Sequence, residues 1–183
     1  MAGDSLLTRA FLLLGDLPGI SDSIRLAIIR EIARASGTEE GMIGGQVVDL
    51  ESEGKAVTPA VLEYIHRSKT GALLTACTRC GALAAGADEG GLRRLTEFGR
   101  KIGLAFQIVD DILDVTSSSE ELGKTAGKDA KVKKATYPAL YGIEASGRKA
   151  PELMESALEE IACLGESAEP LRCLARFICN RTV

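Results

Sequence analysis

The chain has 183 residues and a mass of 19.3 kDa, enough for one domain (1–183) whose core needs no disulfide staples. Its 45% hydrophobic and 26% charged residues are ordinary for a globular protein and exclude an intrinsically disordered chain. Lys and Arg number 22 against 26 Asp and Glu, a net charge of −4, whereas a general nucleic-acid binder is expected to be basic.

No apolar run approaches the roughly 18 residues that read as a membrane span, and Ala10–Leu14 is stopped by Gly15-Asp16. Asp4 precedes the first apolar run with no basic region ahead of it, unlike a secretory signal. The expectation is a soluble cytoplasmic protein, or a plastid one if a transit segment lies upstream.

In chain order the periodicity is helical. Leu6, Leu7, Ala10, Phe11 and Leu14 repeat at steps of three and four, and a turn follows around Pro18-Gly19. Ser21 or Ser23 caps a second helix carrying Ile24, Ala27, Ile28, Ile32 and Ala33, which Gly37 ends. A third helix is expected from about Thr38 to Ser52. Thr58-Pro59 then sets a cap and a first-turn proline, and one continuous helix is expected to about Ala85. The longest run goes from about Glu89 to Thr116. Ser118 and Glu121 have the spacing of a capping box for a separate short helix, and residues 123–135 read as a lysine-rich loop. Three more helices are expected near Tyr137–Ser146, Ala150–Leu164 and Glu169–Ile178. β-Branched alternation is absent, so the fold class is all-α.

The five cysteines are an odd number in a chain of moderate size, so a disulfide framework is not expected. Cys77-Thr78-Arg79-Cys80 is a single C-x-x-C beside the single histidine, His66. It lacks the second ligand pair of a zinc site and reads as two small buried helix residues.

The chemistry concentrates in three segments. On a helix, Gln107, Asp110, Asp111 and Asp114 fall at i, i+3, i+4 and i+7, a narrow acidic stripe among Ile108, Val109, Ile112, Leu113 and Val115. Unpaired buried carboxylates are costly and close like charges repel, so a cation is expected to complete the stripe. All-oxygen ligands favour a hard ion, and Mg²⁺ commonly sits between one or two carboxylates and substrate phosphates. Next comes a glycine-containing loop with Lys124, Lys128, Lys131, Lys133 and Lys134, whose ammonium groups can reach an anion. Its G-K-T triplet is not a P-loop, because Ser118 stands where the first glycine belongs and no strand precedes it. Third, Lys69 and Thr70 interrupt an apolar helix, and an inward-facing lysine there needs an anion. His66 reads as a helix-surface or packing residue. Together the segments describe a site for a Mg²⁺-bridged diphosphate in a helical bundle.

These residues carry a family resemblance. Phe106-Gln107-x-x-Asp110-Asp111-x-x-Asp114 resembles the second aspartate-rich motif of the trans-isoprenyl diphosphate synthases. Five further stretches agree in order and spacing, closest to the geranylgeranyl type: Ala2–Leu7, Gly44–Leu50, Lys69–Leu74, Leu122–Asp129 and Thr136–Pro138. The resemblance implies a bundle of the isoprenoid synthase type and Mg²⁺-dependent condensation of an allylic diphosphate with isopentenyl diphosphate, geranylgeranyl diphosphate being the product expected first. It implies that Asp110 and Asp114 are magnesium ligands, Asp111 the carboxylate beside them, and Asp129 a residue holding a further magnesium. By the same resemblance Lys69, Lys124 and Lys134 grip the allylic diphosphate, while Thr70 and Gln107 stabilise the developing allylic cation.

Two departures stand out. Lys133-Lys134 occupies the place where relatives usually have an acid followed by a lysine. The family's first aspartate-rich motif, the arginine pair after it and the basic residues for isopentenyl diphosphate have no counterpart here, since Asp16 and Asp22 are isolated. The expectation is a chain that begins partway through a larger fold, its N-terminal helices missing. It then acts as a homodimer, or as a non-catalytic or regulatory subunit paired with a full-length synthase. A class I terpene cyclase would share the metal–diphosphate chemistry, but its aromatic-lined pocket needs more than 4% aromatic residues.

Overall fold

The computed structural model describes residues 1–122 and 135–181, with side chains for all of these but 117–122. Among them every regular element is helical, in the order α1 (Ala2–Gly15), α2 (Asp22–Ser36), α3 (Met42–Ser52), α4 (Pro59–His66), a π turn (Arg67–Gly71), α5 (Ala72–Ala84), α6 (Glu89–Leu122), α7 (Tyr137–Tyr141), α8 (Ile143–Glu160), a 3₁₀ segment (Ala162–Ala168) and α9 (Glu169–Cys179). No described helix is long and apolar enough to cross a membrane.

Local chemistry explains most boundaries. Ser21, not Ser23, caps α2, its Oγ accepting from the Ile24 N–H at 3.3 Å. Thr58 and Thr136 do the same for α4 and α7. The third helix starts at Met42, four residues later than the periodicity suggests. Glu40 takes a positive φ of 54°, which a helix does not allow, and Gly41 becomes the cap.

Three expected boundaries are corrected. The helix starting at Pro59 does not run unbroken to Ala85; the π turn divides it. Ser118 and Glu121 do not start a separate helix, because α6 continues to Leu122. In the C-terminal part the break falls at Gly142, whose φ of 83° suits glycine, and α8 runs on through Pro151. The lost helical bond at Pro151 leaves the carbonyl of Gly147, an exposed residue whose oxygen water can satisfy.

The long α6 is the axis of the structure. On one side Phe98 and Ile102 pack with Ala157 of α8, Ile161 just beyond its end, Ala168, and Ala175 and Ile178 of α9. Further along, Ile108 and Val109 pack with Ala150 of α8. On the opposite side α5 approaches closely. A Cβ on Gly103 would come within 2.8 Å of Gly71 Cα, so two glycines facing each other set the separation of α6 from the π turn. The α2–α5–α6 seam is polar: Arg79 donates to both carboxylate oxygens of Glu31 at 2.8 and 2.7 Å and to Thr96 Oγ1 at 2.7 Å.

Helix α1 buries none of its residues, and Leu6, Leu12 and Leu13 are exposed. On α3, Ile43, Val47 and Leu50 are exposed as well.

Candidate functional site

The π turn carries Lys69 and Thr70. One extra residue in a helical turn redirects the side chains that follow it, and such turns recur at functional sites. Here the distortion is held from both sides. Gly45 of α3 lies so close that a Cβ there would sit 2.3 Å from the Lys69 backbone nitrogen, and Gly103 of α6 faces Gly71. An alanine at either position would push the turn out of place.

Lys69 is partly buried, and its Nζ lies 2.6 Å from Asp49 Oδ2. Its partner is thus a carboxylate of the protein itself. Asp49 is buried and belongs to α3, the helix that the Gly45 contact brings in. Sequence reasoning matched Asp49 within a motif but gave it no role, since a pairing across twenty positions leaves no local signal.

The acidic stripe of α6 divides in two. Asp110 is half-exposed and Asp114 exposed, four residues apart on one face. Asp111 turns inward and is 2% exposed. Its Oδ2 accepts from the Tyr137 backbone N–H at 2.7 Å and lies 3.1 Å from His66 Nε2. Asp111 is thus held internally, beside the outward Asp110 and Asp114. Gln107 is buried one turn earlier. His66 is not a surface residue: it is 2% exposed, and its ring stacks on that of Tyr137 at 6.4 Å.

A further contact was not foreseen. Arg181, near the C-terminal end, lies over the Phe106 ring at 4.1 Å, donates to the Phe106 carbonyl at 3.4 Å and reaches 3.9 Å from Asp110 Oδ1. An arginine stacked on an aromatic face keeps its donors free for an anion or a carboxylate. Its distance in sequence from α6 hides the contact.

Lys124, Asp129 and Lys134 lie outside the described residues. The chain leaves the described part at Leu122 and re-enters before Thr136, whose neighbour Tyr137 is bonded to Asp111. A cleft of about 400 Å³ between α2, α4, α5 and α6 is lined by Arg34, Glu63, Arg67, Thr75, Arg100 and Leu104 among others, and by none of the nominated residues. The acidic pair is the stronger candidate, because the cleft offers arginines and glutamates that largely neutralise one another.

Among the described residues no three His, Cys, Asp or Glu side chains converge as a preformed metal cage. Asp110 and Asp114 still fit magnesium, which is commonly bound through one or two carboxylates with water and substrate phosphate completing its octahedron. They fit zinc poorly, since the cysteines lie elsewhere and His66 is committed to Asp111.

Comparison with known proteins finds relatives of one kind. Residues 1–169 match the family model described as polyprenyl synthetase. The chain is 45% identical to a geranylgeranyl diphosphate synthase of Cyanophora paradoxa, over 99% of this chain and 61% of that one. It is 46% identical to a farnesyl diphosphate synthase of Escherichia coli (strain K12), over 99% and 62%. A crystal structure of geranyltransferase from Helicobacter pylori, complexed with magnesium and isoprenyl diphosphate, superposes with a TM-score of 0.75 at 32% identity, covering 97% of this chain and 58% of that one. The chain thus spans about three fifths of the length of these relatives.

Proposed function

We propose a function from one premise: the chain belongs to the polyprenyl synthetase family. The reading is a Mg²⁺-dependent prenyltransferase that joins an allylic diphosphate to isopentenyl diphosphate. The observation that carries it is the outward pair Asp110 and Asp114 on α6, with Lys69 and Thr70 on a π turn packed against the same helix.

Each side chain has a task in this reading. Asp110 and Asp114 hold the ion. Bound there, Mg²⁺ neutralises phosphate charge and makes diphosphate a better leaving group. Lys69 exchanges its contact with Asp49 for a phosphate oxygen, which its short-range ammonium charge favours. The carbon–oxygen bond of the allylic diphosphate breaks, and the carbon–carbon bond to isopentenyl diphosphate forms. A proton is then lost to the departing diphosphate. Thr70 and Gln107 present fixed oxygens to the cationic carbon. This is the preorganised electrostatics of an oxyanion hole with the sign reversed. The family resemblance gives Lys124 and Lys134 a role with diphosphate and Asp129 one with a further magnesium; all three lie outside the described residues.

We assign geranylgeranyl diphosphate as the product to test first. Relatives named for geranylgeranyl and farnesyl products match almost equally, at 45% and 46%, so similarity supports the chemistry more firmly than the chain length. The test is incubation with radiolabelled isopentenyl diphosphate, each of three allylic diphosphates and Mg²⁺, with chromatography of the products. Chain extension that Asp110→Ala and Asp114→Ala each remove supports the reading. Extension that survives both would sink it.

A second reading rests on a separate observation. The exposed leucines of α1 and the exposed apolar face of α3 are suited to burial against another subunit. In that reading the chain is a homodimer, or a partner of a full-length synthase that supplies the opposite wall of the metal site. Light scattering after size exclusion, alone and mixed with such a synthase, separates the two: a lone active species excludes the subunit role.

A further inference from the structure

We infer that His66 is a positioning residue for the acidic pair: its Nε2–H holds Asp111, and through Asp111 sets how α6 presents Asp110 and Asp114. The inference deepens the prenyltransferase reading and rests on it only for the ligand concerned.

His66 is the single histidine of the chain and the last residue of α4. It immediately precedes the π turn that carries Lys69 and Thr70. Its Nε2 lies 3.1 Å from Asp111 Oδ2, with both side chains only 3% exposed. A carboxylate so removed from water needs donors: the Tyr137 N–H donates to Oδ2 at 2.7 Å, and His66 Nε2 lies within donor reach of it at 3.1 Å. The Tyr137 ring also stacks on the imidazole, with ring planes 20° apart. His66 Nδ1 is buried with no hydrogen-bond partner, so the hydrogen-bonding work of the ring is directed at Asp111.

Three elements therefore meet at one carboxylate: the end of α4, next to the π turn, through His66, the acidic helix α6 through Asp111, and the start of α7 through Tyr137. Asp111 adjoins Asp110 and is one turn from Asp114 on a rigid helix. Fixing its side chain fixes the rotation of that turn. Partners of this kind, one step removed from the metal ligands, commonly change metal affinity when removed. A histidine that only filled space would make no demand for an N–H at Nε2.

The test uses the full chain and three variants. Glutamine at position 66 can place a side-chain N–H near that of Nε2, and leucine cannot. With His66→Leu, Mg²⁺-dependent binding of inorganic diphosphate, measured by calorimetry, is expected to weaken about tenfold, while His66→Gln stays within about threefold of the parent. Hydrogen exchange of the 110–114 amides is expected to quicken in the leucine variant and not in the glutamine one. Independently, ¹⁵N-histidine labelling gives a single imidazole spectrum. A proton-bearing Nε2 whose signal moves in Asp111→Asn supports the contact, whether or not the leucine variant folds. An Nε2 without a proton, or a folded leucine variant with parental exchange at 110–114, overturns the inference. Absence of Mg²⁺–diphosphate binding by the parent would instead sink the prenyltransferase reading; the imidazole spectrum and the exchange data still decide the role of His66.

Discussion

Lys69 Nζ sits 2.6 Å from Asp49 Oδ2, an ion pair that joins the π turn to α3. Asp49 is buried, so its charge depends on Lys69 far more than the partly exposed lysine depends on it. Lys69→Met is expected to cost about 1–3 kcal/mol of stability, mostly from the carboxylate left unpaired. Adding Asp49→Asn should restore most of that loss, because both charges are then gone. Diphosphate binding should stay about tenfold weaker in both variants, since the phosphate contact needs the ammonium group. Thermal denaturation and calorimetry on the two variants check the two halves separately. Recovery of binding by the double variant would show that Lys69 has no role with diphosphate.

Two glycines in helices should respond to alanine with opposite signs. At Gly45 the new Cβ would lie 2.3 Å from the Lys69 backbone nitrogen, and a backbone atom does not yield cheaply. Gly45→Ala is expected to destabilise by about 1–3 kcal/mol and to disturb the π turn. Gly81 lies in α5, and a Cβ added there would have nothing within 4 Å. Gly81→Ala should stabilise by about 0.5–1 kcal/mol through helix propensity alone. Chemical denaturation of both variants gives the comparison. If both move in the same direction, the close packing of α3 on the π turn is not what holds it.

The contrast between these glycines shows what a linear reading reaches. Helix propensity and period are local, so the all-α class, the Ser21 and Thr58 caps and the α6 stripe were legible from neighbouring residues. The π turn was not, because Gly45 and Gly103, which hold it, lie more than twenty residues away on either side. The same limit hid the partners of three nominated residues. Asp49 pairs with Lys69, Arg181 reaches Asp110, and His66 meets Asp111. The stripe itself was read too uniformly. Residues at i+3 and i+4 share a face only broadly, and that difference turns Asp110 outward and Asp111 into the interior.

The Glu31–Arg79 pair gives a pH dependence with a definite sign. Hydrogen bonding from Arg79 holds the Glu31 carboxyl below its ordinary value of 4.5, against an opposing push from burial. A depressed carboxylate pKa stabilises the fold at pH values above the unfolded-state value, and the contribution is lost as pH falls through the folded-state value. Both side chains are about a quarter exposed, so the contribution is expected to stay within about 1 kcal/mol. Glu31→Gln should therefore melt below the parent at pH 7, and the gap should close as the pH is lowered past about 4.5. Melting curves over that range test it. A gap that widens in acid would show the pair to be unimportant.

The C-x-x-C on α5 should behave as two unrelated thiols. The expected burial of both cysteines is corrected: Cys77 is exposed, and only Cys80 is half-buried, with Sγ 3.9 Å from the Ile28 carbonyl. Burial pushes the Cys80 thiol up to about 11, with the nearby Glu31 charge adding to it. At pH 8 that leaves roughly one thiolate in a thousand, and the thiolate is the reactive form. Cys179 is raised in the same direction by burial. Iodoacetamide at pH 8, followed by peptide mapping, should therefore modify Cys77, Cys163 and Cys173 at least about tenfold faster than Cys80 and Cys179. Zinc should leave the melting temperature unchanged, because among the described residues no third ligand joins the two sulfurs. Equal labelling of Cys77 and Cys80, or a zinc-dependent rise in melting temperature, would overturn this picture and restore the motif as a metal or redox site.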